Sequence, residues 1–566
     1  VLDFAIPVVV VLLLAAPALF TKDGFIDDWV NHLWLTWMQS REIRATGHPG
    51  LFLHAEPLGV FYPNFAFYGG TLYAIGGYLM VLTGAPVATF VAMIVLSFVA
   101  AYGGTLWVGR QLGVRGVVAH MPAIIVVTGA YYLSLAYGRG SWPELVATSM
   151  VPLIIAAALR MFRTGARPGV IVFLAGSTAI WSGSHNITLA WGTIFLVAMA
   201  VCALLAWVAC IKAPQLRRIA TVLGVMALGI MLNGWFLLPD IAYSLNTEIS
   251  QYRNLAPAIS GIFSRLSVVF DPLRDRATQS SYLRSHFTEL PVLVIVWIVA
   301  ALAIQWRSRW NSQLRRLAML LILLLAVLLV LLVDEQIWNR LPSTLSIIQF
   351  TFRLQTYIVM TVAGLVAVVL AGMSGRGVRR REAVLGLGLA ASVLIGLSLG
   401  IWQVWNSDAG YYPESRRYLA NRDFVLRYPY HTPPTWYDPG QFRDIGDQVV
   451  PTDGAIHLDA SEIHGEATTQ AVTVPLGEGP VATNIAASIK LVSVRGLRVA
   501  GRTSDGFLAL ERPRDGEASV RLSVSRADTA PMRLGPLVTL LGAIGLAGSV
   551  VFIVVRGRRR SRRPGV

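Results

Sequence analysis

Twelve stretches of this chain run to about twenty residues with almost no charge, and a helix of about that length crosses the ~30 Å hydrocarbon core of a bilayer. They fall at about 4–20, 87–107, 117–137, 145–162, 168–184, 188–211, 219–238, 289–306, 317–333, 356–373, 383–402 and 533–555. Within hydrocarbon each backbone N–H and C=O has to find its partner in the protein, so such runs read as helices. The first of them reads as a span rather than a signal peptide, since no small-residue cleavage site follows it. Composition agrees: 55% of the 566 residues are hydrophobic, 14% are charged and the mean hydropathy is +0.59. That is too apolar for an ordinary soluble enzyme, and the expected fold class is an α-helical polytopic membrane protein of about 12 transmembrane helices.

The net charge of +16 does not point to nucleic acid. The basic residues sit in short connectors between the apolar runs: Arg110 and Arg115; Arg160, Arg163 and Arg167; Lys212, Arg217 and Arg218; Arg307, Arg309, Arg315 and Arg316; Arg376 to Arg381; Arg556 to Arg563. That is the positive-inside pattern, and it assigns all of these to the cytoplasm. A thirteenth apolar run, Phe65 to Leu82, breaks the parity if it crosses. It contains Gly69, Gly70, Gly76 and Gly77 and follows Tyr62-Pro63, so it is expected to lie at the outer surface. Both termini are then cytoplasmic, and the segments 21–86, 239–288, 334–355 and 403–532 gather outside. Cys202 and Cys210 share one apolar run and read as helix-packing residues, not as a disulfide or metal site.

Beyond residue 404 the composition changes. Alternating patterns at Ile456–Ala460, Ala471–Val474, Ser488–Val494 and Val520–Val524 predict a small, mostly β, extracytoplasmic domain over 405–532, between a membrane domain, 1–404, and a last helix with a basic tail, 533–566. Tyr411 to Tyr437 is rich in aromatics, prolines and arginines, as a glycan-contacting or membrane-packing segment would be. His457, Asp459, Glu462 and His464 match no strong metal-ligand spacing and read as a solvated strand edge.

Charge close to a membrane span is costly without a task, so the outer polar clusters are the candidate site. Asp27, Asp28 and His32 follow the first span. Read as a helix, residues 28–39 put Asp28, His32, Thr36 and Gln39 on one stripe and Val30, Leu33, Trp34, Trp37 and Met38 on the other, which suits a surface helix with its aromatic side in lipid. His54, Glu56 and Tyr62 lie in the same outer loop. The turn Arg139 to Glu144 carries a cation and a carboxylate, His185 stands in a polar turn, and Gln349 and Arg353 precede a later span. An outer arginine beside a span runs against the positive-inside bias, and its planar fork fits phosphate oxygens.

In their order along the chain, Asp28-x-x-x-His32, Pro57-Leu58-Gly59 with Phe61-Tyr62-Pro63, the Arg139 to Glu144 turn and Gln349-Phe350-x-x-Arg353 resemble the C-fold (GT-C) membrane glycosyltransferases. Within that class the chain resembles the bacterial membrane proteins called 6-pyruvoyl-tetrahydropterin-synthase-related and, more distantly, the mycobacterial arabinofuranosyltransferases. Thr351-Phe352 stands where that family often has Pro-Trp. The resemblance implies an inverting sugar transfer from a polyprenyl-phosphate donor to a hydroxyl of an envelope glycan or glycolipid, at the outer face of a bacterial plasma membrane.

It implies Asp28, or Asp27, as general base with His32 beside it. Arg353, Arg139, His185 and Gln349 would hold the donor phosphate, and Glu144, His54, Glu56 and Tyr62 the substrates. No cofactor or metal is required, and a divalent ion bridging Asp28 and the phosphate stays open. The excess of arginine over lysine suggests a GC-rich, actinobacterial source with arabinose or mannose donors. A non-catalytic scaffold and a transporter of polyprenyl-linked glycolipids are the alternatives.

Overall fold

The computed structural model describes residues 2–20, 28–55, 58–207, 213–244, 247, 295, 299, 311–348, 350–373, 380–405, 444, 446–513 and 519–561. Most of the 289–306 run, the 411–437 segment and Cys210 lie outside the described residues. The described chain is mostly helical: α1 (Leu2–Phe20), α2 (Trp29–Thr46), a hairpin of β1 (Leu53–Ala55) and β2 (Gly59–Tyr62), α3 (Asn64–Phe67), α4 (Gly70–Thr83), α5 (Pro86–Leu112), α6 (Met121–Val127), α7 (Ala130–Tyr137), α8 (Trp142–Thr164), α9 (Pro168–Ser182), α10 (Asn186–Ala206), α11 (Ala213–Met231), α12 (Gly234–Tyr243), α13 (Ser312–Val333), α14 (Glu335–Trp338), α15 (Leu354–Met373) and α16 (Arg380–Trp405). A small β region follows, and α17 (Ala530–Ser561) ends the described chain.

Among the described residues seven helices are long and apolar enough to cross a membrane, and nine if each of two bent pairs is one span. The bent pairs are the α6 side with α7, at 57°, and α11 with α12, at 83°. Twelve spans are therefore not counted among the described residues. The apolar helices Leu2–Ala18 of α1 and Pro168–Ser182 of α9 fall in a shorter class of 10–17 residues, the first of them near the lower end of the usual spanning length. The segment expected at the surface forms α4, whose 14 residues extend ~21 Å at 1.5 Å per residue, short of a ~30 Å core. It packs along α2.

The helices give the bundle two chemically different ends. At one end the basic connectors meet: Arg163 donates to the Gln111 carbonyl, Arg218 to the Phe162 and Arg163 carbonyls at 2.9 and 2.8 Å, and Arg110 pairs with Asp3 at 3.1 Å. At the other end sits the β region. Its strands are β3 (Ala455–Ile456), β4 (Ala467–Thr473), β5 (Val481–Thr483), β6 (Val492–Arg495), β7 (Val499–Arg502), β8 (Leu508–Leu510) and β9 (Ser519–Arg526). They form a four-stranded sheet in the order β3-β5-β8-β7 and a three-stranded antiparallel sheet in the order β4-β9-β6.

This β region is joined to the bundle by backbone and by core. Val60 N–H donates to Asn484 O at 2.7 Å, Ala486 N–H donates to Val60 O at 2.9 Å, and Tyr243 Oη donates to Thr529 Oγ1 at 2.5 Å. One apolar cluster contains Trp34, Leu35 and Met38 of α2, Phe61 of β2, and Ile456, Ile485, Leu510 and Val524 of the sheets. The aromatic side of α2 is thus not in lipid, contrary to the expectation from its pattern. Trp34 is 2% exposed because the β region offers α2 an apolar face to bury against, and the hydrophobic gain is the same as from lipid.

Candidate active site

Asp28 is the N-cap of α2, and its N–H donates to Arg139 O at 3.0 Å. That bond and an ion pair hold the start of α2 against the turn between α7 and α8. Arg139 Nε lies 3.5 Å from Asp28 Oδ2, and Arg139 Nη1 lies 3.2 Å from Glu144 Oε2. Arg353 Nε reaches the same Glu144 oxygen at 3.3 Å, while Tyr131 Oη donates to Glu144 Oε1 at 2.7 Å. Asp28, Arg139, Glu144 and Arg353 are 4, 8, 3 and 4% exposed. Two carboxylates and two guanidiniums so deep in protein are tolerable only because each has an opposite charge in contact.

Local structure holds each group. Glu144 stands in the first turn of α8, where the helix dipole favours a carboxylate, with Pro143 opening the helix ahead of it. Arg353 ends a 3-10 turn, Thr351–Arg353, and its Nη1 donates to Ile348 O at 3.0 Å. The Phe350 ring serves both cations: its centroid is 5.4 Å from the Arg139 guanidinium carbon and 5.2 Å from that of Arg353.

Next to the charges lies an uncharged group. His32 is one helical turn beyond Asp28 and its Nδ1 is 2.7 Å from Tyr73 Oη. Burial, then His185 and Arg139, hold the His32 imidazole down to about 3, so it is neutral at pH 7. Tyr68 stacks with His32 at 6.4 Å between ring centroids and meets His185 edge-on at 5.8 Å. His185 caps α10, its Nδ1 accepting from Thr188 N–H at 3.2 Å. Gly69, at φ +62°, brings these two loops together: a Cβ there would stand 3.0 Å from Ser184 O and 2.8 Å from the Tyr73 ring.

The structure thus gathers Asp28, His32, Arg139, Glu144, His185 and Arg353. Asp27, Glu56 and Gln349 lie outside the described residues. His54 and Tyr62 serve elsewhere. His54 Nε2 donates to Gly465 O at 3.0 Å and its Nδ1 accepts from Phe61 N–H at 3.1 Å, so both ring nitrogens are used in holding the β region. Tyr62, 1% exposed, packs in the apolar cluster under the sheets. Both stand on the hairpin that the β region covers, apart from the charged cluster. Tyr68 and Tyr131, which touch these groups, carry no signal in the sequence, whereas Phe350 stands within the Gln349-Phe350-x-x-Arg353 motif.

Among the described residues no group of three or more His, Cys, Asp or Glu side chains is arranged to hold a metal ion. Among the described residues, Asp28 faces the Arg139 guanidinium, and Glu144 faces those of Arg139 and Arg353. In the β region Asp459 caps a 3-10 turn, accepting from Ser461 N–H and Oγ at 2.8 and 2.6 Å. No protein-family model matches the chain, and no curated protein matches it either.

Proposed function

We propose that the protein is an inverting membrane glycosyltransferase that moves a sugar from a polyprenyl-phosphate donor to a hydroxyl of a cell-envelope glycan or glycolipid. Its fold is read as C-fold (GT-C), and its membrane as a bacterial plasma membrane. The observation that carries this reading is the joined, buried cluster of Asp28, Arg139, Glu144 and Arg353 at the β-region end of an apolar helical bundle. The acceptor hydroxyl attacks the anomeric carbon and gives its proton to Asp28, while the bond from that carbon to the phosphate oxygen breaks. General-base help of this kind contributes on the order of 10²–10⁴-fold. The departing phosphate gains charge, and Arg353 and Arg139, already oriented by Glu144 and Phe350, are preorganised to stabilise it. One displacement inverts the anomeric centre.

The active face is outer and both termini are cytoplasmic, because the basic connectors gather at the opposite end. Arabinose and mannose are the first donors to try. The test uses the protein in lipid nanodiscs with a panel of polyprenyl-phosphate sugars and envelope acceptors, comparing wild type with Asp28→Asn. Transfer by the wild type that falls by 10²–10⁴ in a folded, donor-binding variant supports the reading. Transfer unaffected by Asp28→Asn sinks Asp28 as the base.

A second reading, transport of a polyprenyl-linked glycolipid, is favoured by the two bent apolar helix pairs, since broken helices line substrate paths in transporters. Lipid translocation without transfer in the same nanodisc or vesicle preparation selects it. Binding with neither transfer nor translocation leaves the scaffold reading.

A further inference from the structure

We infer that His32, Tyr68 and His185 form an uncharged subsite that binds the hydroxyls of a glycosyl group, separate from the charged cluster that takes its phosphate. Three rings adjoin there, each with one polar atom that has no hydrogen-bond partner among the described residues. His32 is 6% exposed, yet its Nε2 is buried with no hydrogen-bond partner. A buried polar atom left this way costs about 1–3 kcal/mol, which is offset when a ligand completes the bond. The Tyr68 hydroxyl makes no hydrogen bond to a described residue, and its side chain is only half-buried where its neighbours are buried. His185 accepts at Nδ1 from Thr188 N–H, so its proton is on Nε2, a donor with no described acceptor.

The three rings are within one sugar's reach of each other, at centroid separations of 6.4 and 5.8 Å on either side of Tyr68. They also adjoin the charges: Tyr68 feels Asp28, Arg353, Arg139 and Glu144, and His185 feels Arg353 and Arg139. Their own chemistry is neutral. His32 is held uncharged by burial, and burial, followed by Asp28, pushes the Tyr68 phenol upward so that it keeps its proton. A neutral imidazole and a phenol suit hydroxyls, which both donate and accept, better than they suit a phosphate. The subsite accordingly takes His32 and His185 away from the phosphate and leaves that task to the two arginines.

The inference rests on the glycosyltransferase reading for the lipid-linked form of the ligand, and the experiment keeps the two apart. Full-length protein in nanodiscs is titrated with a polyprenyl-phosphate mannose, with sugar-free polyprenyl phosphate, and, by saturation-transfer NMR, with soluble methyl mannoside and methyl arabinofuranoside. Tyr68→Phe is expected to weaken the mannose-bearing lipid by about threefold to tenfold, the worth of one neutral hydrogen bond. It should leave sugar-free lipid unchanged and weaken the glycoside signal by a similar factor. Arg353→Gln should weaken both lipids. If Tyr68→Phe and His32→Phe weaken the two lipids equally, or neither, or if the wild type gives no glycoside signal, the subsite is overturned. If glycosides bind through Tyr68 but neither lipid binds, the polyprenyl-phosphate reading fails while the subsite stands.

Discussion

His54 shows how one side chain can fasten a domain and make its docking sensitive to acid. With Phe61 N–H donating to Nδ1, the ring has one proton, on Nε2, and a second proton would put two donors face to face. Burial holds His54 down to about 4, against an ordinary 6.5. As pH falls from 6.5 towards 4 the unfolded chain takes up a proton that the folded chain refuses, so stability is lost in that window, by on the order of 3 kcal/mol at most. His32, held to about 3 for the same reason, adds to the loss. Glu42 and Glu466 act in the opposite sense: burial raises both, so acid favours their folded state. We expect thermal melts in nanodiscs to drop between pH 7 and 4.5, and His54→Gln to flatten that slope; equal slopes in the two proteins would remove His54 as its origin. The sequence marks His54 as a polar residue in an outer loop, but its partner is 411 positions away, and no local pattern points to Gly465. The same holds for Tyr68 and Tyr131, aromatic residues among many, whose task is set by which loops meet.

The short elements between the helices depend on close approach. Gly59 opens β2 at φ +77°, and a Cβ there would stand 2.2 Å from Asn484 O, the acceptor of the Val60 N–H bond. Gly59→Ala therefore forces a left-handed alanine and pushes β2 away from the 484–486 segment that follows β5, at a cost on the order of 3 kcal/mol from strain and one or two lost hydrogen bonds. Limited proteolysis is expected to release or degrade the β region in that variant under conditions where the wild type resists. Resistance equal to wild type would mean that the hairpin is not what holds the region in place. Longer elements were legible because their period repeats: α5, α8, α10, α13, α15, α16 and α17 all lie on expected apolar runs, and β4 and β9 on expected alternation. The strands β5 and β8 have three residues each, and β7 has four. That is too short for alternation to stand out, and they exist through their neighbours. The pattern of α2 does not tell lipid from the β region as its apolar neighbour, since burial against either selects the same residues.

At the scale of the whole molecule, the chemistry proposed for the Asp28 cluster depends on which side of the membrane it faces, and the two ends of the bundle give that a measurable form. The basic connectors around Arg110, Arg163 and Arg218 meet at one end, away from the β region and from the cluster. Positive residues in short connectors stay on the cytoplasmic side during insertion, so the β region should face outwards, where polyprenyl-linked sugars and envelope acceptors would be met. Ser504, exposed in the β region, and Thr164, exposed at the basic end, give one reporter for each side. With Cys202 and Cys210 replaced by alanine, Ser504→Cys is expected to react with a membrane-impermeant maleimide in intact cells whose outer barrier, if any, is opened. Thr164→Cys should react only once the plasma membrane is permeabilised. The reverse labelling would put the carboxylates and arginines on the cytoplasmic face. The same cluster would then have to work on cytosolic substrates, and the outer-face transfer proposed for it would be excluded whatever the donor.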